Sequence, residues 1–309
     1  MREGLLGKAV VLLVASAACA TACYDFTIAE WVDAGGDAAT DTDTDADTDV
    51  CDPGFTGQDC DVCVRYVDAD STAAQPDGLR WHRAFVSLQP AIDSAAEAVQ
   101  GALTECAVWV AEGTYNTYQS DPTDTVQLSP GVGVYGGFAG DETELYQRDW
   151  VNHETVLDGR DSASGEFHVY HVLRGADDTT VDGFTVTEGD AFQGSSPMDS
   201  KNWGGGMLNL DASPTLANCT FIDNQCFFGG AIENMASDEE AVCEPLITDC
   251  LFQNNYAGAF GGAVDNDQST PTIHDCSFVG NSSVMGGGAI NNLYATLTVT
   301  GTDFEDNST

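Results

Sequence analysis

The sequence predicts an all-β protein: a right-handed, single-stranded parallel β-helix with a short N-terminal capping helix, preceded by a signal peptide and a disordered acidic linker. Two observations predict the solenoid. A unit of about 26 residues recurs four times after Gly204, and such a unit must stack on its neighbours because it cannot bury its own apolar face. The unit is also rich in Gly, Asn, Thr and β-branched residues, which favours short strands over helices.

Each repeat contains two sequence boxes. The first is Gly-Gly, a small residue, an apolar residue, any residue and Asn, at 204–209, 229–234, 261–266 and 287–292. The second is Phe-x-x-Asn. Because stacked strands lie about 4.8 Å apart, we expect ladders of equivalent residues, with phenylalanines inside and asparagines at bends, where Asn tolerates left-handed backbone. The ladder residues are Phe221, Phe252, Phe278 and Phe304 with Asn224, Asn255, Asn281 and Asn307.

A cysteine precedes three of these phenylalanines by two residues, and Thr302 takes its place in the fourth repeat. Cys219, Cys250 and Cys276 fit either a metal-binding row or a ladder of buried thiols. We expect thiols, because a free Cys in a core behaves as a small apolar residue. The glycine doublets mark points where the chain turns with positive φ or where two backbones approach closely.

The paired Gly-Gly-Ala-Ile and Phe-x-x-Asn signatures resemble the repeats of the chlamydial polymorphic membrane proteins and of the wider group of bacterial parallel β-helix proteins with pectin-lyase-like architecture. The resemblance implies this fold and, from the chlamydial proteins, an adhesin. It implies little about activity, because one fold hosts many functions. The pattern runs as far as Asn307, so either further coils follow in a longer chain or the stack ends without a cap.

Charge separates the classes of partner. The chain has 9 Lys and Arg against 50 Asp and Glu, a formal charge of −41, and no Lys or Arg after Lys201. Nucleic-acid binding needs a basic footprint, so that partner class is excluded. Acidic polysaccharides are disfavoured unless cations bridge them. Two interpretations of the charge stay open: a solvated surface that keeps an exported protein soluble, or a surface that holds calcium in oxygen-rich sites.

Residues 1–22 predict an export signal, because Arg2 and Lys8 precede an apolar run that is short for a membrane span. Cys19 and Cys23 each follow small residues and resemble the bacterial lipobox. The resemblance implies lipidation of one of them and a stable membrane anchor through two or more acyl chains. The protein is then a lipoprotein of the outer membrane or cell surface, and the alternative is an extracellular, secreted protein.

Residues 23–50 predict a disordered linker, because the low-complexity tract Asp33–Asp49 within them supplies like charges and lacks apolar residues larger than Ala. The alternating Asp also suggest a calcium loop of the EF-hand type, but Ala46 stands where that loop needs Gly. Residues 51–63 resemble the closing loop of an EGF-like module, which implies a disulfide between Cys51 and Cys60.

Four further cysteines are expected to pair. Cys63 then needs a partner, for which we expect Cys106, since disulfides suit an exported protein. Cys226 and Cys243 bracket the extra residues Met235–Val242 of the longer second repeat. We predict that these two cysteines bond and clip that insertion.

Residues 64–309 form the predicted β-helix, with 64–111 as its opening and 204–309 as its regular part. In the opening we predict a strand over Arg65–Asp68, a helix over Leu88–Val99 that begins at Gln89-Pro90 and lids the stack, and a strand over Ala107–Ala111. This opening resembles that of related β-helix proteins. Irregular coils are predicted at Val126–Leu128, Val132–Phe138, Thr155–Gly159, Val169–Leu173 and Val181–Thr187.

The sequence contains few residue patterns that indicate catalysis. Galacturonan hydrolases of this architecture use clustered carboxylates on consecutive coils. Asp158, Asp161, Asp177 and Asp178 are the weak catalytic candidates, although bends would carry Asp anyway. The five histidines show no metal-ligand spacing, so no metal site is predicted from them.

The sequence therefore favours a non-enzymatic, surface-tethered β-helix protein for adhesion, with a host or cell-surface protein or a glycan as partner. A lyase or glycoside hydrolase of the pectin-lyase-like fold is the alternative, and a structural spacer is a third. Calcium is the one cofactor that the composition suggests. We expect a monomer.

Overall fold

A computed structural model of the chain describes residues 55–56, 62–101, 103–192, 199–238 and 240–309. These residues belong to one compact unit, Asp49–Thr309. The predicted signal peptide, the lipidation sites Cys19 and Cys23, the acidic linker and the Cys51–Cys60 pair lie outside the described residues. Within these ranges no helix has the length and apolar character that a membrane crossing requires.

The described ranges contain 26 strands, one α-helix and three short 3-10 helices. The helices are α1 (Leu88–Gly101) and the 3-10 turns Trp81–Arg83, Leu145–Gln147 and Ser200–Asn202. The strands before the regular repeats are β1 (Phe55–Thr56), β2 (Val62–Val67), β3 (Cys106–Ala111), β4 (Gly113–Tyr118), β5 (Val126–Gln127), β6 (Val132–Phe138), β7 (Thr155–Asp161), β8 (Leu173–Arg174), β9 (Thr180–Asp182), β10 (Thr185–Thr187) and β11 (Asp190–Ala191).

The strands of the regular repeats follow. They are β12 (Met207–Leu210), β13 (Thr215–Ala217), β14 (Thr220–Ile222), β15 (Gln225–Phe228), β16 (Ile232–Met235), β17 (Leu246–Thr248), β18 (Leu251–Gln253), β19 (Tyr256–Phe260), β20 (Val264–Asp267), β21 (Thr272–His274), β22 (Ser277–Val279), β23 (Ser282–Ser283), β24 (Ile290–Leu293), β25 (Thr298–Thr300) and β26 (Asp303–Glu305).

Strands of successive coils pair in parallel and build four sheets, so the chain is a parallel β-helix, as predicted. The nine-stranded sheet runs β1-β2-β3-β6-β9-β13-β17-β21-β25 and the seven-stranded sheet β26-β22-β18-β14-β10-β7-β4. The six-stranded sheet runs β24-β20-β16-β12-β8-β5 and the four-stranded sheet β11-β15-β19-β23. Among these strand pairs, only β1 and β2 run antiparallel within the described ranges.

The N-terminal opening matches the prediction closely. Helix α1 is two residues longer than predicted and buries an apolar face of Leu88, Ala91, Ile92 and Ala95, which packs into the same core as β3 and β6. The predicted disulfide between Cys63 and Cys106 is present and joins β2 to β3. The irregular coil predicted at Val169–Leu173 contains a strand only at its end, where Leu173 begins β8.

The phenylalanine ladder fills the core of the regular coils. Phe252 stacks on Phe221 at a centroid distance of 5.3 Å and on Phe278 at 4.6 Å, with the rings within 10° of parallel. Phe304 continues the stack at 5.1 Å but is 52% exposed, because it lies on the last described coil. The rings are in contact at every coil, so each one contributes both buried area and stacking.

The asparagine ladder exists, but it occupies different backbone geometry from the prediction. The residues with positive φ are the neighbours just before the ladder, namely Asp223, Asn254, Gly280 and Asp306. The ladder asparagines themselves are inside, and Asn224, Asn255 and Asn281 are almost completely buried. Their amides replace backbone partners at the bend, which explains why Asn is needed there. A second Asn column, which we did not predict, joins the buried Asn209, Asn234 and Asn266 and the exposed Asn292 through side-chain amides.

The glycine doublets combine both predicted uses. The first glycine of each doublet has φ between +58° and +65°, as Gly204 and Gly261 show. The second permits close approach: a Cβ on Gly230 would lie 2.8 Å from the backbone of Tyr256 on the next coil. Tyr256 begins β19 of the four-stranded sheet. The doublet Gly229-Gly230 therefore lets the chain turn from β15 of the four-stranded sheet into β16 of the six-stranded sheet.

The predicted disulfide between Cys226 and Cys243 is wrong, because both cysteines are free. Cys226 lies on β15, is fully buried, and its thiol donates to the carbonyl of Phe228 at 2.7 Å. Cys243 lies after the insertion and packs its thiol against the carbonyl of Asn209 on β12. Cys226 is on a strand, whereas Cys243 lies in the loop between β16 and β17, so the bracketing seen in the sequence does not bring them together.

Candidate functional site

The four predicted catalytic acids do not converge. Asp158 and Asp161 lie on β7 of the seven-stranded sheet, whereas Asp177 and Asp178 lie in the turn between β8 and β9 of two other sheets. Asp177 accepts a hydrogen bond from the backbone N–H of Ser213 at 2.8 Å, and Asp178 has a φ of 52°. These two residues therefore shape a bend.

Asp161 is also committed to local structure. Its carboxylate accepts the backbone N–H of Phe167 at 3.0 Å and that of Ser164 at 2.7 Å. These hydrogen bonds, led by that from Phe167, lower the pKa of Asp161 to about 2. An acid that is ionised at every working pH and closes its own turn is poorly suited to proton donation.

Asp158 belongs to a cluster that we did not predict. Arg160 forms a bidentate ion pair with Asp158, with Nη2 to Oδ2 at 2.8 Å, and its Nη1 lies 3.5 Å from Oε1 of Glu188 on the next coil. The hydrogen bonds that Arg160 donates to Asp158 raise the pKa of Arg160. His168 adds its Nδ1, which donates to the carbonyl of Glu188 at 2.9 Å. The cluster therefore joins two carboxylates, a guanidinium and an imidazole.

One signal for this cluster was present in the sequence. Arg160 follows Asp158 by two residues, one residue beyond the segment predicted at Thr155–Gly159, and side chains two apart on a strand share a face. The approach of Glu188 depends on the stacking of coils. A Cβ on Gly159 would lie 2.4 Å from the carbonyl oxygen of Glu188, so glycine is required where these coils meet. That register was not readable from the sequence.

The outer face of the seven-stranded sheet connects this cluster with a groove. Its outward side chains alternate with buried ones and are half-exposed, so they form an open surface across the coils. They come from rows of register partners on neighbouring coils. These residues are Thr185, Thr187, Thr220, Ile222, Leu251 and Gln253.

The groove, here called the Trp150 groove, has a volume of about 470 Å³ and lies where these strands begin. Its lining includes Trp150, Glu154, Thr185, Asn218 and Asp249. Trp150 is 38% exposed. The hydroxyl of Thr185 donates to Glu154 at 2.9 Å. An aromatic surface therefore stands beside carboxylate, hydroxyl and amide groups.

A buried ion pair fixes the aromatic wall of the groove. The guanidinium of Arg148 lies 4.7 Å from the ring centroid of Trp150 and is paired with Asp182. The other oxygen of Asp182 accepts a hydrogen bond from the side chain of Asn218 at 2.8 Å. The same carboxylate thus orients one residue on each side of the groove.

The described ranges contain no group of three or more His, Cys, Asp or Glu residues arranged to hold a metal ion. Cys219, Cys250 and Cys276 are buried and unbonded to one another. His171 is also buried, with its Nδ1 directed to the carbonyl of Gly204, and burial lowers its pKa to about 4. These cysteines and His171 are therefore enclosed in the core.

Solved structures with some likeness to the chain are β-helix enzymes. Pectin methylesterase PemA from Erwinia chrysanthemi is 13% identical over 78% of this chain, with a TM-score of 0.37, and a pectin methylesterase in complex with hexasaccharide VII is 14% identical with a TM-score of 0.36. An iota-carrageenase of family GH82 from A. fortis is 13% identical over 72% of this chain, with a TM-score of 0.36. The match covers 66% of each esterase chain and 44% of the carrageenase chain.

No protein-family model matches the chain, and no curated protein matches it either. At these identities the likeness concerns architecture alone, and the fold stands on the parallel pairing of the chain's own strands. The polymorphic membrane protein repeats remain a resemblance in sequence.

Proposed function

We propose that this chain is an exported, surface-tethered β-helix protein that binds a neutral glycan strand along the Trp150 groove and the outer face of the seven-stranded sheet. The half-exposed Trp150 among polar groups is the observation that supports this proposal. Binding sites with an apolar wall and a few fixed polar groups suit ligands that are apolar on one face and polar at the edges. A pyranose ring has that character.

The charge of the chain selects the class of glycan. The described groove carries Glu154 and Asp249, and the whole chain has a formal charge of −41. An acidic glycan would meet repulsion along its length, whereas a neutral one offers hydroxyl donors to the carboxylates. The tether proposed at Cys19 or Cys23 would hold this surface outside the cell.

The test is binding of the purified protein to neutral and acidic polysaccharides, measured by affinity electrophoresis and calorimetry. We expect binding to a neutral glycan that weakens at least 10-fold in Trp150→Ala. Tyr294→Ala is the matched control, because Tyr294 is an aromatic residue that is 85% exposed and lies on the last coils. Binding that is equally strong in both variants, or confined to acidic glycans, contradicts the proposal.

The tether has its own test. A lipoprotein would incorporate a labelled fatty acid in cells and lose the label in either Cys19→Ser or Cys23→Ser. A secreted protein would carry no label in any variant and would be found in the medium. The glycan test uses the folded part and is independent of this outcome.

A carbohydrate-active enzyme is the second candidate, because the cluster of Asp158, Arg160, His168 and Glu188 places carboxylates and an imidazole on neighbouring coils. The guanidinium of Arg160 would bind substrate oxygens, and Glu188 or His168 would act as the base. We would assay polysaccharides with and without calcium, reading unsaturated-sugar absorbance and reducing ends. Activity that is lost in Glu188→Gln but kept in Asp177→Asn supports an enzyme. Absence of activity in every assay contradicts this candidate function. A structural spacer would show neither binding nor activity.

A further inference from the structure

Three cysteines form a column through the core of the regular coils. The pairing of Thr220 with Leu251, and of Leu251 with Ser277, places Cys219, Cys250 and Cys276 in one register on successive coils. All three are between 1% and 3% exposed and carry free thiols. We call them the cysteine column.

The thiols of the column are stacked, with Cys250 in the middle. Each thiol donates to the carbonyl two residues before it, at 3.1 Å for Cys219 and Cys250 and 3.2 Å for Cys276. Burial raises the pKa of Cys250, whereas the neighbouring thiol of Cys250 lowers the pKa of Cys276. The end thiol is therefore the more readily ionised of these two, and the thiolate is the species that attacks disulfides.

The same chain already bridges two coils in this geometry. Cys63 and Cys106 precede the paired residues Val64 and Ala107 on parallel strands, so they too are register partners on adjacent coils. Their Cα atoms lie 4.7 Å apart and their sulfurs are bonded. Stacked residues of a solenoid lie about 4.8 Å apart, within the range of roughly 4.4–6.8 Å that a disulfide spans.

We propose that Cys250 forms a disulfide with one of its two stacked neighbours, Cys219 or Cys276, and that the third cysteine of the column remains a thiol. Cys219 and Cys276 are two coils apart, about 9.6 Å by the strand spacing, which is too far for a disulfide. The inference uses the stacking of the coils and does not depend on glycan binding.

The chemistry balances with a small-molecule disulfide as oxidant. The thiolate of Cys276 attacks the disulfide and forms a mixed disulfide, expelling one small thiol. Cys250, once deprotonated, then attacks the sulfur of Cys276 and expels the second small thiol. Two protein thiols are oxidised and one small disulfide is reduced to two thiols. In the Cys250–Cys276 form, the Cys219 thiolate can attack Cys250 and release Cys276, which gives the Cys219–Cys250 form.

Peptide mapping can assign the state of each cysteine in the cysteine column. Cleavage before aspartate separates the five free cysteines of the described ranges, because Asp211, Asp223, Asp238, Asp249 and Asp275 each begin a segment that holds one of them. The protein would be exported without reductant, or incubated with glutathione disulfide, alkylated in denaturant and mapped without reduction. We expect the Cys250 peptide linked to that of Cys219 or Cys276, and those of Cys226 and Cys243 alkylated.

Variants sharpen the test. Thr302 occupies the same register on the next coil, and its hydroxyl accepts from the N–H of Cys276, so a hydroxyl side chain is compatible with the column. Cys219→Ser should leave only the Cys250–Cys276 bond, Cys276→Ser only the Cys219–Cys250 bond, and Cys250→Ser neither. Cys226→Ser is the control and should leave both forms.

Thermal unfolding provides a second readout. Closing a loop between coils should raise the melting temperature of the oxidised protein by roughly 5–10 °C over the reduced Cys250→Ser variant. Complete alkylation of all three column cysteines in both preparations overturns the proposal, and so does a bond between Cys219 and Cys276.

Discussion

The side-chain oxygen of Asn255 accepts two hydrogen bonds from Asn224, one from the backbone N–H at 3.1 Å and one from Nδ2 at 3.2 Å. Asn281 does the same for Asn255, at 3.0 and 2.9 Å. Asn255 and Asn281 also donate to the carbonyls of the ladder residues Phe221 and Phe252, each at 2.9 Å, and Asn224 donates to the carbonyl of Val186. The asparagine ladder therefore provides hydrogen-bond partners for buried backbone groups at the bend of each regular coil, where the strand pairing is interrupted.

Replacing Asn255 with Ala should lower the free energy of unfolding by about 3 kcal/mol, because the N–H of Asn224 and the carbonyl of Phe221 lose their buried partners. Asn307→Ala should cost about 1 kcal/mol, since Asn307 is half-buried on the last described coil. Urea unfolding of both variants is the measurement. Equal costs at the two positions would contradict the idea that burial of the amide ladder makes it important.

The phenylalanine ladder predicts a similar gradient. Phe252→Ala should cost about 3–5 kcal/mol, because it opens a cavity between two stacked rings. Phe304→Ala should cost about 1 kcal/mol, since its ring is 52% exposed. Thermal and urea unfolding of the pair would measure the difference. A Phe304 variant as damaging as the Phe252 variant would show that the last coil is covered in solution.

The burial of Glu233 predicts that the stability of the protein depends on pH. It occupies the register of Leu208 on the neighbouring coil, is 3% exposed, and its Oε2 has no hydrogen-bond partner within the described ranges. Burial, together with the charges of Asp265 and Asp267, raises the pKa of Glu233 well above its usual range. Its protonated form is therefore favoured in the folded state.

The sign of the effect follows from this raised pKa. Below roughly pH 4.3 the carboxyl is protonated in both states, and above it ionisation favours the unfolded chain until the folded pKa is reached. Glu233→Leu should raise the free energy of unfolding by about 1–3 kcal/mol at pH 8 and by less at pH 5. Glu240→Gln, at an exposed position, is the control. A pH-independent gain would refute the titration of Glu233.

The contacts of Arg148 predict that one substitution affects both the stability of the fold and glycan binding in the Trp150 groove. Arg148→Met leaves Asp182 buried without its cation, so the free energy of unfolding should fall by about 3–5 kcal/mol. Arg148→Met together with Asp182→Asn should recover part of that loss, because no uncompensated charge remains. Both variants lose the contact between Arg148 and Trp150, so both should weaken glycan binding at temperatures where they are folded. Unfolding curves and affinity electrophoresis would separate these two effects.

Much of the fold could be predicted because the repeats constrain it. A period near 26 residues with Phe, Cys and Asn at fixed offsets predicts the register, and the register predicts the Phe ladder and the cysteine column. The error over Cys226 and Cys243 has the opposite cause. Their bracketing of an insertion does not show which element each side chain belongs to: Cys226 lies on β15 of the four-stranded sheet and Cys243 in the loop before β17.

The candidate site was less predictable. Asp161 and Asp177 were chosen for their residue type, whereas their hydrogen bonds to Phe167 and Ser213 show that they close turns. Arg160 and Glu188 lie in the irregular coils before the repeats, where no period fixes which residues stack. Whether their side chains come into contact depends on the length and backbone path of each irregular coil.

The sequence by itself determined the solenoid, its stacking register after Gly204 and its acidic surface, because periodic residues repeat the same local choice at each coil. Only the tertiary structure decided that Arg148 pairs with Asp182 behind Trp150, that Glu233 is buried beside Leu208, and that Glu188 approaches Arg160. These contacts join residues on different coils at irregular separations. Their geometry depends on the summed path of the intervening chain, which no local pattern encodes.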